Sequence, residues 1–209
     1  KINATLVGQY TIIFVVGGLA VYKKSIKKFF VLGVAAVSLS ILATVSSPSH
    51  AASTTVTLGV KKVTQAAELW CWAASSVSVL DYFGIKVTQS DFVEYVKGEV
   101  SNKSGNISEV MDGLDHYGLQ SYRENNSLTF KETVREINND IPVLARIKWK
   151  TGNTAIGHMV VIDGYTNSST KYLRYMDPDK GEYSIMTYDR FVDSSGQEWT
   201  HTIYGFEEN

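Results

Sequence analysis

The period of the sequence changes once, near residue 140, and that change limits the fold more than any other feature of the chain. Upstream of it the apolar residues recur at helical spacing. The stretch 72–83 is rich in Ala, Ser, Val and Leu and stops at Gly84, a residue type that ends helices. Thr88 and Ser90 stand before a short amphipathic run over 91–96. Asn106 is placed to cap a helix over 107–117 that Gly118 closes, and Thr129 to cap one over 130–138. Downstream come β-branched and aromatic runs at 142–149, 158–165, 171–176 and 183–188, separated by turn clusters, and a last run at 200–206. Helices first and antiparallel strands afterwards predict an α+β domain, with N-terminal helices packed on a C-terminal antiparallel sheet.

The first fifty residues have a different character. Lys23, Lys24, Lys27 and Lys28 are followed by seventeen uncharged residues, 29–45, and then by Ser46, Ser47, Pro48 and the triplet Ser49-His50-Ala51. A positive segment, an apolar segment and small residues at the end are the order of a secretory signal peptide, with cleavage expected after Ala51. A retained membrane anchor competes, because seventeen apolar residues approach the spanning minimum; the small-residue end favours removal. Residues 2–22 are also uncharged, and the first Met is Met111. We read 1–20 as over-extended upstream translation and 21–51 as the signal peptide, against a two-helix membrane hairpin. The mature domain is then 52–209. No sorting motif occurs at Glu207-Glu208-Asn209, so free secretion from a Gram-positive bacterium, as a monomer off the membrane, is the expectation.

Charge sharpens this. Residues 1–51 hold five Lys and no acid, which leaves 15 basic against 21 acidic residues in 52–209. A net charge of −6 on the domain argues against nucleic acid as a partner. Three Pro and one Cys exclude a collagen-like chain and a disulfide scaffold.

That one cysteine is the centre of the chemical reading. Cys71 has no partner for a disulfide within the chain and falls at the start of the first helix, in Gln65-Ala66-Ala67-Glu68-Leu69-Trp70-Cys71-Trp72-Ala73-Ala74-Ser75. Unpaired N–H groups and the helix dipole favour a thiolate there. A thiolate nucleophile needs a base, and the domain offers His116, His158 and His201. His158 opens the apolar run Met159-Val160-Val161-Ile162, where a strand end can hold an exposed imidazole; the other two sit in polar surroundings and read as surface residues. The imidazole needs an acceptor to orient it. Asp177, before Pro178, ends the next strand, and a hairpin would set it beside His158. Asp163 lies five positions along the strand of His158, an odd offset that turns it to the other face. Asp179 falls further out.

Taken together these residues resemble the papain-like cysteine peptidase superfamily: a Cys-Trp pair opening a helix, a Gln six positions earlier, and the order Cys, His, Asp. The resemblance spans roughly residues 61–206. It implies Cys71 as nucleophile, His158 as general base and acid, Asp177 as the third member, and the Gln65 side-chain amide as an oxyanion-hole donor. The 87 residues from Cys71 to His158 fall short of the roughly 130 typical of papain and cathepsins. Asp-Pro also replaces Asn-Ser-Trp. Both features are similar to the compact bacterial branch, that of the double-glycine bacteriocin-processing peptidases, and the Trp-Cys-Trp run resembles bacterial effector cysteine peptidases. A protein or peptide substrate follows from the resemblance, and no cofactor or metal is implied.

Two other functions use or mimic the same residues. A transglutaminase-like acyl transferase would favour an amine over water in an aromatic-walled cleft, for which Trp70, Trp72, Trp149 and Trp199 are candidates, although four Trp are also ordinary core packing. An inert secreted binding module would carry the residues as relics. No zinc-peptidase motif, paired Cys-x-x-Cys or phosphate-binding Gly loop occurs in the domain.

Overall fold

In the computed structural model, which describes residues 3–6, 12–15, 21–22, 53–152 and 157–209, the domain is built as the change of period demands. Four helices occupy the first part: α1 (Cys71–Tyr82), α2 (Gln89–Lys97), α3 (Ile107–His116) and α4 (Phe130–Asn138). Their starts are fixed by side chains. Thr88 accepts from the Asp91 N–H, while Asn106 with Glu109 and Thr129 with Glu132 each form a reciprocal capping box. Replacing such a cap by Ala costs about 1 kcal/mol.

Four strands follow in meander order, β6 (Val143–Trp149), β7 (Gly157–Asn167), β8 (Tyr172–Asp177) and β9 (Glu182–Thr187). After the short helix α5 (Tyr188–Val192), β10 (Gln197–Glu208) returns to the opposite side and pairs with β6. Two strands lie where the sequence reading placed none. β5 (Leu119–Glu124) pairs antiparallel with β10, and β4 (Thr54–Thr57) pairs with the far half of β7. Neither carries its own signal. In β5 only Leu119 is buried, and β4 has no buried residue, so partner strands rather than alternation define them. The seven strands form one antiparallel sheet, ordered β5-β10-β6-β7-β8-β9 with β4 on β7.

Helix α1 runs through the core, with every residue from Trp72 to Leu80 buried. Small side chains make this possible. Ala73, Ala74, Ser75, Ser76 and Ser78 let the helix lie close to the sheet, and each buried hydroxyl finds an acceptor. Ser75 donates to the Met159 carbonyl of β7 at 2.9 Å, Ser76 to Trp72 and Ser78 to Lys61, both at 2.8 Å. The Ser75 bond ties the start of α1 to the strand that carries His158.

Residues 1–48 separate from the domain as a unit of their own. Its described residues form three short strands, β1 (Asn3–Leu6), β2 (Ile12–Val15) and β3 (Val21–Tyr22), paired antiparallel in that order. The signal-peptide segment 29–45 and the triplet at 49–51 lie outside the described residues. Among the described residues no helix is long and apolar enough to cross a membrane.

Candidate active site

Cys71 is the first residue of α1, after Trp70 as the cap residue. The first helical hydrogen bond runs from the Ala74 N–H to the Trp70 carbonyl, 2.9 Å. The N–H groups of Cys71, Trp72 and Ala73 therefore have no acceptor within the helix. The segment leading in is pinned from two sides. Leu69 N–H donates to Asn102 Oδ1, the Trp70 indole N–H to the Ser101 carbonyl and the Trp72 indole N–H to the Lys103 carbonyl. On the other side, the Gln65 N–H donates to the Pro178 carbonyl at 2.8 Å, joining this segment to the turn just beyond Asp177.

The hairpin from β7 to β8 pairs Val161 with Met176, which brings the start of one strand to the end of the other. His158 Nε2 lies 2.7 Å from Asp177 Oδ1. The same carboxylate oxygen accepts the Asp179 N–H at 3.1 Å. With Nε2 taken, Nδ1 is left for Cys71, which lies close enough to the same ring to raise its pKa. The sequence-predicted sulfur, imidazole and carboxylate thus meet at one point. Trp149, at the end of β6, stacks on the imidazole with centroids 5.8 Å apart and planes at 22°.

Burial of His158 works against its charged form. The Asp177 hydrogen bond and the contact with Cys71 outweigh that penalty and lift its pKa to about 9. Burial likewise pushes Asp177 upward, but His158, the Asp179 N–H and Lys180 hold it below its ordinary value. The two shifts agree: a carboxylate next to an imidazolium is the favoured state at neutral pH.

Gln65 lies at the same cleft, and its side-chain amide is already engaged. Nε2 donates to the Ala67 carbonyl at 3.1 Å and the Glu68 carbonyl at 2.7 Å, while Oε1 is buried without a partner. The other acids and histidines stand elsewhere. Asp163 is fully buried at a bulge in β7 and pairs with Arg174 of β8, which removes it from His158. His116 stacks on Tyr95, and His201 contacts Thr200. The four tryptophans divide: Trp72 and Trp149 line the cleft, whereas Trp70 and Trp199 are core residues outside its lining.

The cleft has a volume of about 490 Å³. Beside Cys71 its wall is Trp72 packed on Gly105, where a Cβ would fall 2.5 Å from the indole; only glycine fits there. Glu68, Asp179, Lys180 and Arg146 make the remaining wall charged. Arg146 and Gly105 were not singled out from sequence. A lone charge between the apolar Ala145 and Ile147 was the available signal for Arg146.

A family model, the Peptidase_C39-like family, matches residues 57–202, most of the chain and nearly all of the domain. The chain belongs to the Peptidase_C39-like family. It is accordingly a cysteine peptidase, with the papain-like α+β fold expected from sequence. Among solved structures, the peptidase domain of Streptococcus ComA, a bi-functional ABC transporter involved in a quorum sensing pathway, is similar at 19% identity. The TM-score is 0.55, over 72% of this chain and 99% of that one, a likeness of fold. A double glycine motif protease from an AMS/PCAT transporter, solved in complex with the leader peptide, gives 21% identity and a TM-score of 0.48, covering 75% and 99%. UfSP from C. elegans gives 14% and 0.45, covering 78% of this chain and 36% of that one. No curated protein matches the chain.

Proposed function

We propose that this cysteine peptidase hydrolyses a peptide bond through a Cys71 thioester. His158 acts as acid and base, Asp177 orients it, and Gln65 joins the Cys71 N–H in the oxyanion hole. The observation that carries the reading is the imidazole held between Asp177 and Cys71 at the floor of one cleft. The thiolate attacks the carbonyl carbon, and negative charge develops on its oxygen beside the free N–H groups at the start of α1. Gln65 contributes by exchanging its longer bond, that to Ala67, for the oxyanion. His158 gives its proton to the leaving amine, then takes one from the water that hydrolyses the thioester. The charged wall of the cleft admits water, which favours hydrolysis over transfer to an amine.

The test is the pH profile of Asp177→Asn. In the wild type the imidazolium persists to about pH 9, so kcat/KM should lose its acid-catalysed limb there. The Asp177 hydrogen bond is the largest single influence raising that value, and the Asn variant should move the limb to lower pH while retaining some turnover. A limb that stays in place would remove Asp177 from the role. Stability follows the same linkage. The raised His158 pKa contributes stability that is complete below about 6.5 and lost as pH climbs through about 9. The lowered pKa of Asp177 adds stability that is lost on acidification.

The reading includes export. The pattern of 21–51 supports a cleaved signal peptide, and β4 begins at Thr54, within a few residues of the expected cut. The exported protein should have Ala52 as its N-terminus by Edman sequencing; an intact 21–51 segment, or retention with the cells, would overturn this.

A further inference from the structure

Arg146 is a cation of the cleft that no described acid pairs with. Arg146 sits in β6, opposite Met159 of β7, with buried Ala145 and Ile147 on either side. Its Nη1 donates to Thr200 Oγ1 of β10 at 2.9 Å, and its guanidinium lies against the backbone of Gly157. A Cβ at Gly157 would fall 2.8 Å from Nη2 and 2.9 Å from Cζ and Nε, so the guanidinium fills the space that a side chain at 157 would take. Among the described residues no Asp or Glu is within ion-pair distance of Arg146, and the remaining residues of the chain include neither acid. Arg146 is half-buried, and among the described residues Thr200 is its one side-chain partner, which leaves the rest of the guanidinium open to a ligand in the cleft.

Its position shows what could bind. β7 carries His158, β8 supplies Asp177 on one flank, and β6 supplies Arg146 on the other, with Gly157 directly preceding the histidine. Both Arg146 and His158 line the cleft that holds Cys71. The lining is of mixed charge, with Glu68, Asp177 and Asp179 as well as Arg146 and Lys180, and Arg146 stands on the side toward β10. His201 is held below its ordinary pKa by burial and then by the charges of Arg146 and Arg123. Arginine offers a planar fork of donors that fits a carboxylate on two oxygens.

We infer that Arg146 is a specificity-determining residue that binds a carboxylate of the peptide substrate close to the bond to be cut. This rests on the peptidase reading of the cleft. The carboxylate comes from an Asp or Glu side chain or from a peptide C-terminus, and one experiment separates these sources. Paired peptides differing only in Glu against Gln, scanned position by position, are bound to the Cys71→Ala protein alongside pairs ending in free carboxylate against carboxamide. At one position, or at the chain end, the carboxylate member should bind about 10- to 100-fold more tightly. Arg146→Met should erase that difference without weakening the neutral twin, Arg146→Lys should keep part of it, and Arg146→Glu should turn the preference toward Lys. Thr200→Val, which keeps the charge but frees the guanidinium, should reduce the preference several-fold and serves if the Arg146 variants unfold. Equal binding within every pair, or a preference that survives Arg146→Met, overturns the inference. Cleavage by the wild type is followed on the same peptides. Cleavage without a carboxylate preference leaves the peptidase reading and removes the subsite; carboxylate-dependent binding without cleavage does the reverse.

Discussion

Cys71→Ala should lower kcat on any peptide the wild type cleaves by on the order of 10⁶-fold, the scale seen when a peptidase loses its nucleophile. Folding should survive. Cys71 is half-buried at the first position of α1, the cap residue before it is Trp70, and the core face of that helix begins at Trp72. Thermal unfolding within about 1 kcal/mol of the wild type separates lost chemistry from lost structure. Retention of even a hundredth of the wild-type rate would mean that the thioester route is wrong. Gln65→Ala belongs to the same panel with a smaller effect, about 10²–10³ in kcat, as for other oxyanion donors. Its two bonds to the Ala67 and Glu68 carbonyls give a second possible role, bracing the turn before the helix. A fall in kcat at constant KM marks the oxyanion role. A fall in stability with kcat unchanged assigns Gln65 to the turn alone.

The parts of the fold that were legible in sequence are those whose signal is local. α4 was readable to the residue because Thr129 and Glu132 form a cap within one turn, and α1 to within one residue at each end because Gly84 follows a run rich in Ala, Ser, Val and Leu. β4 and β5 were not, since their only support is a partner strand far along the chain: Val56 opposite Tyr165, and Tyr122 opposite Tyr204. The site divides in the same way. Parity along β7 sufficed to turn Asp163 away from His158, and the hairpin sufficed to bring Asp177 toward it. The engagement of Gln65 with its own turn, the stacking of Trp149 on the imidazole and the approach of Arg146 over Gly157 each depend on how separate segments settle together. Sequence spacing carries no record of that.

The largest effect on stability should come from a residue that does not touch the reacting atoms. Asp163 is fully buried, and Arg174 is its charged partner, itself lying 3.6 Å above the Tyr183 ring. Asp163 Oδ1 has no hydrogen-bond partner, so the arginine is the principal compensation for the buried carboxylate. Burial lifts the Asp163 pKa to about 6 even though Arg174 pulls it down. Arg174→Met keeps much of the stem but strands that carboxylate, a loss of about 3–5 kcal/mol for a buried pair broken on one side. For a domain of this size that is a fall in Tm on the order of 10 °C. The sign of the pH dependence follows from linkage. A carboxyl raised from about 3.9 to about 6 on folding binds more protons in the native state, so its ionisation costs stability as pH climbs through 6. The variant should therefore be closest to the wild type near pH 5, where Asp163 is neutral in both, and furthest from it near pH 8. Adding Asp163→Asn to Arg174→Met should recover part of the loss, because no charge is then left buried. A loss that is the same at pH 5 and pH 8, or a double variant no more stable than Arg174→Met, would show that packing on Tyr183 rather than charge compensation is what Arg174 supplies.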